Sequence, residues 1–236
     1  METVLKQLRS LDSKNATAQE ISDFYNEATE DYSFWSKDFN MHFGYCTMGK
    51  TLPFLRNSML NEMNRQVLKR LALEKGTQLT ADLGCGMGGT MRHFMKTHKK
   101  LSIIGVTLSE FQVVQGNKFL NNTKGIIINE NYTNTSIPTS SIDGAVAMES
   151  FCHSGHSISC LKEAHRILKK GKKLVITDAF LKKPPSELCT GSKYSYDGLC
   201  KGWSLDGIGV IDEVKKNLNT LGFKNIRVHH DEPLKY

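Results

Sequence analysis

The residues with the clearest chemical potential form one short segment, DLGCGMGG at positions 82–89, which combines an acidic side chain with four glycines. The apolar residues before it predict a strand, and the amphipathic residues after it predict a helix. Glycines lack a Cβ atom, so the backbone can turn sharply and approach a ligand closely at the carboxyl end of a strand, where doubly wound sheets bind nucleotides. We therefore expect an adenosine-containing ligand at this segment, which we call the glycine turn.

Two kinds of adenosine cofactor suit such a turn, and the flanking residues discriminate between them. Gly84, Gly86 and Gly89 satisfy the GxGxxG spacing of dinucleotide sites. Dinucleotide sites also need an acidic residue at the end of the second strand to hold the ribose, whereas that strand ends here in TLS at 107–109. Together with Asp82 at the start of the turn, this pattern argues against NAD and favours S-adenosylmethionine (SAM).

The stretches around the turn alternate in a way that places it in a parallel sheet. From Leu79 to Phe180, short apolar runs alternate with amphipathic stretches, which is typical of an α/β, Rossmann-like, doubly wound and mostly parallel sheet. We assign this domain to residues 75–236 and predict a helical N-terminal lid over residues 1–74. The alternation is lost in an insert at 182–207, after which we predict a helix near 211–221 and a last strand at 223–230.

Length and composition restrict the class of protein. A chain of 236 residues with 39% hydrophobic and 23% charged residues is long enough for one α/β core and has the composition of a folded soluble protein. The sequence has no N-terminal apolar run, no stretch of about 18 apolar residues, and no CxxC pair among its six cysteines. We therefore expect a cytoplasmic protein with reduced thiols, no transmembrane segment and no metal site, and we leave a peripheral membrane contact open.

Positive charge is the one compositional feature that points towards nucleic acid. The formal net charge is +7, and the lysines are dispersed apart from a short cluster at 169–173. A solvated helix end accounts for that cluster, because cations stabilise the negative end of a helix dipole. A nucleic-acid partner is therefore the less favoured hypothesis.

Four blocks of the sequence, in the same order, resemble the class I SAM-dependent methyltransferases. The glycine turn is similar to motif I of that family, in which the acid and the glycines flank the methionine part of the cofactor. GVTLSEFQ at 105–112 resembles a segment of the branch that holds the γ-tocopherol, sterol and phosphoethanolamine-type methyltransferases and the cyclopropane synthases, and residues 131–154 and 164–178 resemble two later blocks of that branch. The resemblance implies SAM as cofactor and a set of cofactor-binding residues: Asp82, Gly84, Cys85, Gly86, Gly88, Thr107, Leu108, Gln112, Asn131, Tyr132 and Met148.

The sequence departs from the pattern of the family at two places. Asn131 stands where the family often has an acid that faces the adenine amine, and Lys170 and Lys172 replace a proline and a glycine. An amide oxygen can still accept a hydrogen bond from an amine, so Asn131 remains a candidate for adenine recognition.

The resemblance also implies where the methyl acceptor meets the cofactor. Glu149 and His153 lie four residues apart just past the predicted fourth strand, whose end faces the cleft. Either side chain could remove a proton from an acceptor, but Glu149 could instead position the cofactor and His153 could make a structural hydrogen bond. Residues 24–45 resemble the lid segment of the tocopherol branch, which implies that His42 or Tyr45 borders the acceptor.

Aromatic side chains of the lid and of the insert are further candidates for ligand contact. In the insert, GLCKGWSL at 198–205 resembles the LCxGWxLP stretch of the family, which implies that Trp203 and Tyr196 touch the substrate. A sulfonium is a cation that aromatic faces attract by about 0.5–2 kcal/mol. The lid aromatics that could make this contact, or could equally belong to the core of the lid, are Tyr25, Tyr32, Trp35 and Tyr45.

These features predict a SAM-dependent methyltransferase that transfers a methyl group by in-line displacement to a small-molecule acceptor, of the isoprenoid, quinone, sterol or amine type. Two alternatives stay open. An RNA methyltransferase is favoured by the pI of ≈ 9.0, and a degenerate SAM-binding protein without turnover is favoured by Asn131, Lys172 and the early end of the chain. Since the chain stops soon after the predicted last strand, we expect no seventh, antiparallel strand and an exposed sheet edge. The sequence predicts no oligomeric state.

Overall fold

The computed structural model describes residues 36–47, 51, 55–154, 158–203, 205 and 207–229. Most of the predicted N-terminal lid, including Tyr25, Tyr32 and Trp35, lies outside the described residues. Within the described part of the lid, residues 36–47 cross over one end of the sheet, and we call this segment the strap.

Five parallel strands form the central sheet, in the order β3-β2-β1-β4-β5. The central strands β1 and β4 bury all but one of their residues each, as expected for strands covered on both faces. This architecture confirms the predicted Rossmann-like α/β fold. The strand bounds are β1 Gln78–Leu83, β2 Leu101–Thr107, β3 Gly125–Asn129, β4 Ile142–Met148 and β5 Leu168–Thr177.

Helices cover both faces of the sheet and bury two apolar clusters against it. Val67 and Phe94 contribute to the cluster on one face, and Leu161 and Val214 contribute to the cluster on the other. Short 3-10 turns at Phe151–Ser154 and Pro185–Glu187 complete the chain path. The helix bounds are α1 Arg56–Leu71, α2 Gly89–Thr97, α3 Glu110–Phe119, α4 Ile158–Ile167, α5 Thr190–Gly202 and α6 Ile211–Thr220.

The strand order reverses at the carboxyl end of β1. Asp82 on β1 pairs with Gly105 of β2 on one side and with Val146 of β4 on the other. The connection from β1 leads towards β2, whereas the connection after β3 crosses to β4, so a crevice opens between the two. The glycine turn leaves β1 directly into this crevice.

The prediction of a last strand at 223–230 is wrong for the residues that the structure describes. Residues 223–229 follow α6 without joining the sheet, and β5 remains the edge strand of the described part of the chain. A strand needs a neighbouring ladder to satisfy its backbone groups, and sequence alternation alone does not supply one. Instead, the Phe223 ring packs edge-on against the ring of His165 on α4, at 5.2 Å between centroids.

The lysine cluster also lies in a different environment from the predicted solvated helix end. Helix α4 ends at Ile167, and the four residues that follow Leu168 bulge out of β5 opposite Asp143. The Nζ atom of Lys169 lies 2.7 Å from Oδ1 of Asp143, and Lys172 pairs with Glu74. Lys169 and Lys172 therefore hold the bulge against β4 and against the segment that follows α1.

Candidate functional site

Glycine is required in the glycine turn because the backbone there is both left-handed and crowded. Gly84 has a φ angle of +86°, and Gly86 has a φ angle of +52°. The backbone N–H groups of Gly84 and Cys85 both donate to the Val106 carbonyl, at 2.9 and 3.0 Å, which fixes the turn to the end of β2. A Cβ atom on Gly84 would overlap the Cβ atom of Ser150. The turn therefore presents bare backbone to the crevice.

A cavity of about 250 Å³ lies against the glycine turn. Its lining includes all of the predicted cofactor-binding residues except Gly88, together with His42, Glu149 and His153. Gly88 instead faces the sheet, where a Cβ atom would lie 3.3 Å from Cδ1 of Ile127. The lining also includes Gly89 of the GxGxxG spacing and residues that the sequence analysis did not propose for the site: Phe39, Met41, Thr90, Ser109, Thr133, Ser150 and Ser154.

Asp82 provides a buried acceptor at the edge of this cavity. The residue is only 3% exposed, and its Oδ2 atom receives no hydrogen bond from the described residues. Burial raises the pKa of its carboxyl to about 7. A buried carboxylate without a partner is costly, and a ligand amine would relieve that cost. The amino group of the methionine part of SAM has the chemistry that fits this position.

At the other end of the cavity, side chains from β2 and α3 are locked together. Thr107 Oγ1 donates to Gln112 Oε1 at 2.6 Å. Ser109 caps α3 by accepting a hydrogen bond from the backbone N–H of Gln112 at 3.2 Å. The predicted set of Thr107, Leu108 and Gln112 is thus brought together on one wall, in fixed orientations.

Asn131 lines the cavity, but its side-chain oxygen is already occupied. Oδ1 accepts from the backbone N–H of Thr133 at 2.9 Å and from the Thr133 hydroxyl at 2.8 Å. These two bonds use both lone pairs of the oxygen, so an adenine amine would have to displace one of them. The N-x-T spacing in the sequence is typical of a turn in which the asparagine side-chain oxygen accepts hydrogen bonds from the residue two positions later. This spacing could therefore have predicted that the Asn131 oxygen is occupied.

Tyr132 and Ser150 tie together the strand ends around the cavity. The Tyr132 hydroxyl donates to the Ser150 carbonyl at 2.5 Å, and the Ser150 hydroxyl donates to the Leu83 carbonyl at 2.5 Å. Since Ser150 directly follows Glu149, this chain of bonds fixes the position from which the Glu149 side chain projects.

Glu149 combines an unusual backbone with a shifted carboxyl pKa. Its φ angle is +50°, a left-handed value that costs energy for a residue with a side chain. Burial raises the carboxyl pKa to about 7, a hydrogen bond from the Phe43 backbone N–H lowers it, and the charge of Asp178 raises it. The Phe43 nitrogen lies 2.6 Å from Oε1 of Glu149. The carboxyl is therefore poised between its charged and neutral forms near neutral pH.

The strap is held by buried polar contacts that bring His42 to the cavity. Asn64 of α1 is fully buried, and its amide donates to the side-chain oxygen of Asn40 at 2.9 Å. The hydroxyl of Thr90, on α2, donates to the Asn64 oxygen at 3.0 Å. His42 donates from Nδ1 to the Phe43 carbonyl at 2.8 Å, and burial lowers the pKa of its imidazole.

A second, larger cavity of about 2090 Å³ extends from the strap along β5. Met41, Glu149 and His153 line both cavities, so these side chains form the boundary between the two. Tyr45 and Trp203 line the larger cavity, and the rings of Trp203 and Phe43 lie 6.4 Å apart between centroids. Tyr196, the other substrate candidate of the insert, lines neither cavity.

The remaining expectations concern membranes, metals and thiols. In the described ranges, none of the helices has both the length and the apolar character that crossing a bilayer requires. The same ranges contain no group of three or more His, Cys, Asp or Glu side chains arranged to hold a metal ion. All six cysteines are free thiols.

Comparisons with known proteins relate this fold and site to one family. Residues 81–176 match the model of a family described as "Methyltransferase domain". Cycloartenol-C-24-methyltransferase of Arabidopsis thaliana is 29% identical over 178 residues, which cover 68% of this chain and 48% of that protein. The chain spans about half the length of the curated relatives it matches.

Two solved structures show the same fold. The cyclopropane synthase MmaA2 of Mycobacterium tuberculosis superposes with a TM-score of 0.73 at 17% identity, covering 88% of this chain and 75% of that one. Geranyl diphosphate C-methyltransferase of Streptomyces coelicolor A3(2), solved with Mg2+, geranyl diphosphate and S-adenosyl-L-homocysteine, gives a TM-score of 0.70 at 16% identity, covering 87% and 79%. Residues 81–176 therefore match a methyltransferase domain family, and the described part of the chain has the fold of these two solved structures.

Proposed function

We propose that the protein binds SAM in the smaller cavity and transfers its methyl group to a small molecule that occupies the larger one. The observation that carries this proposal is the shared boundary between the cavities, formed by Met41, Glu149 and His153. Methyl transfer needs the nucleophile, the methyl carbon and the sulfur in one line, so two sites that meet at a narrow boundary suit it.

On the cofactor side, the chain supplies groups that match the two ends of SAM. We infer that Asp82 accepts a hydrogen bond from the amino group, while the Thr107–Gln112 pair holds the adenosyl end. When bound, SAM supplies an electrophilic methyl carbon on a sulfonium. The bare backbone at Gly84 and Gly86 allows close approach of the methionine part.

At the boundary, Glu149 is the best-supported proton acceptor. Its carboxyl has a pKa of about 7 and is held by the Phe43 backbone N–H, so it is oriented and partly ionised at neutral pH. His153, in the 3-10 turn that follows, is the second candidate. A base is needed only when the acceptor atom loses a proton after methylation.

For the acceptor we propose an apolar small molecule of the isoprenoid or sterol type. Phe43, Phe180 and Trp203 line the larger cavity, together with Val175 and Ile176 of β5. The similarity to a cycloartenol methyltransferase and to a geranyl diphosphate methyltransferase supports the same class. Quinone and amine acceptors remain the alternatives within the same reaction.

The test is to measure release of S-adenosylhomocysteine with a panel of a sterol, a prenyl diphosphate, a quinone, an amine and a structured RNA. We expect turnover with one of the apolar acceptors and none with RNA. Turnover with RNA, suppressed steeply by salt, would establish the RNA alternative. Binding of SAM without release on any acceptor would identify a SAM-binding protein without turnover and contradict the proposed reaction.

A further inference from the structure

Arg92, in the first turn of α2, joins the glycine turn to the strap. Its Nη1 atom donates to the Met87 carbonyl of the glycine turn at 2.7 Å. Its Nη2 atom donates to the Asp38 carbonyl of the strap. The Arg92 side chain therefore links the glycine turn on one side of the smaller cavity to the strap on the other.

The aromatic rings of Phe119 and Phe39 pack beside Arg92 and support the same link. The guanidinium carbon of Arg92 lies 5.2 Å from the centroid of the Phe119 ring, at the end of α3. The Phe119 ring in turn lies 5.4 Å from the ring of Phe39 in the strap. Because a guanidinium stacks on aromatic faces, Arg92 also couples the strap to α3.

The strap fits closely on the backbone that Arg92 binds. A Cβ atom on Gly89 would lie 2.5 Å from the Phe39 carbonyl oxygen and 2.8 Å from that of Asp38. A Cβ atom on Gly86 would lie 2.8 Å from Sδ of Met41. The strap therefore rests directly on the glycine turn, and Phe39, Met41 and His42 line the cavity beneath it.

The hydrogen-bond partners of Arg92 differ from those of the arginines that form ion pairs within one helix. Arg65 and Arg166 each form an ion pair with a glutamate three residues earlier on their own helices, and Arg166 also donates to the carbonyls of Thr135 and Ile137, which belong to a single segment. Arg92 forms no ion pair with the described residues and instead uses its donors on two main-chain carbonyls from separate segments. Burial lowers the pKa of its guanidinium.

We propose that Arg92 is a positioning residue that holds the strap closed over the cofactor, and that its bridge sets the rate at which SAM leaves the site. This inference rests on the proposed binding of SAM in the smaller cavity. Loss of the bridge frees the strap from the glycine turn and opens an exit, while Asp82 and the Thr107–Gln112 pair stay in place.

The experiment compares SAM dissociation rates, by stopped-flow competition, for the wild-type protein and for Arg92→Ala, Arg92→Lys and Phe119→Leu. We expect dissociation to be about 10-fold faster or more in Arg92→Ala, since bonds from a charged donor are lost. The SAM dissociation rate of Arg92→Lys should be similar to that of Arg92→Ala. A lysine ammonium is a compact point charge, whereas the planar guanidinium of arginine can donate to two separate carbonyls at once. Phe119→Leu keeps both hydrogen bonds and should accelerate release by about 2- to 5-fold.

Two controls separate positioning from stability and from the proposed function. Lys96→Ala, on the exposed side of the same helix, should leave the dissociation rate unchanged. A purely structural role predicts a lower melting temperature of the cofactor-free protein with an unchanged dissociation rate in Arg92→Lys and Phe119→Leu, and this result would overturn the inference. If the wild-type protein does not bind SAM, the proposed function itself fails; if it binds and the variants release SAM at the wild-type rate, the positioning role alone fails.

Discussion

At the scale of single residues, the site depends on two carboxyls that burial keeps partly protonated near neutral pH. Asp82 faces the smaller cavity, and its Oδ2 atom receives no hydrogen bond from the described residues, whereas Glu149 lies at the boundary and holds the strap through Phe43. The same physical cause, loss of water, raises both pKa values to about 7. Their different surroundings fit the two roles that we propose, cofactor binding for Asp82 and proton transfer for Glu149.

Substitution Asp82→Asn should weaken SAM binding by roughly 10- to 100-fold, because this factor corresponds to the free energy of one hydrogen bond to a charged group. The wild-type affinity should rise with pH up to about 7, because the carboxyl must lose its proton to accept a bond from the amino group. In the variant this pH dependence should disappear. Calorimetric titration with SAM at several pH values measures both effects, and an equal affinity for the two proteins would contradict the role of Asp82.

The same substitution should stabilise the cofactor-free protein above pH 7. The folded-state pKa of Asp82, about 7, lies above the ordinary aspartate value of 3.8, so between these two pH values the folded protein binds a proton that the unfolded chain has lost. The free energy of unfolding therefore falls as pH rises between those two values, and the loss is complete above pH 7. Denaturant unfolding at pH 5 and pH 8 should show a smaller decrease in Asp82→Asn than in the wild type.

Substitution Glu149→Gln should lower kcat by about 10²- to 10⁴-fold with an acceptor that loses a proton, the range typical of general-base catalysis. The amide oxygen can still accept the Phe43 hydrogen bond, so SAM affinity should change little. The wild-type rate should increase as pH rises through about 7, and the variant should lack this step. Glu213→Gln, on the exposed side of α6, is the matched control. An unchanged kcat and pH profile in Glu149→Gln would exclude it as the base.

At the scale of elements, the glycine turn and the strap together form the smaller cavity, and they differ in how far the sequence predicts them. The turn could be predicted because glycine spacing and a preceding apolar strand are local signals. The resemblance implied a lid at residues 24–45, but the contacts that hold the strap could not be predicted. Asn40, Asn64 and Arg92 belong to no motif and acquire their roles only when α1, α2 and the strap pack together. At Gly88 the motif was misleading. Its position in the motif predicted ligand contact, but a Cβ atom at Gly88 would point towards the sheet.

Substitution Gly84→Ala tests the turn as an element. The left-handed φ of +86° and the overlap with Ser150 should together cost about 1–3 kcal/mol in the free energy of unfolding and abolish tight SAM binding. Gly191→Ala provides the control, since Gly191 lies in α5 with nothing within 4 Å of an added Cβ. That change should be neutral or stabilising by about 0.5–1 kcal/mol. Equal denaturant midpoints for the two variants would contradict this account of the turn.

At the scale of the whole molecule, the alternation of apolar and amphipathic stretches predicted the five strands and the helices α2, α3 and α4 between them, and a separate prediction placed α6 near 211–221. The stretch at 223–229 was misassigned because pairing is non-local, and its alternating apolar residues say nothing about whether a neighbouring ladder exists. The edge strand β5 carries Lys169, Lys170, Lys172 and Lys173, and charged residues on an edge strand oppose pairing with other chains. The lysines that raised the nucleic-acid hypothesis thus have a structural explanation.

The central claim is that the cavity between the glycine turn and the strap binds SAM. The most direct test is isothermal titration calorimetry of the wild-type protein with SAM and, separately, with NAD. The account predicts one saturable site for SAM, lost in Gly84→Ala and weakened in Asp82→Asn, with no heat from NAD. Binding of NAD in place of SAM, or SAM affinity that is the same in all three proteins, would contradict it.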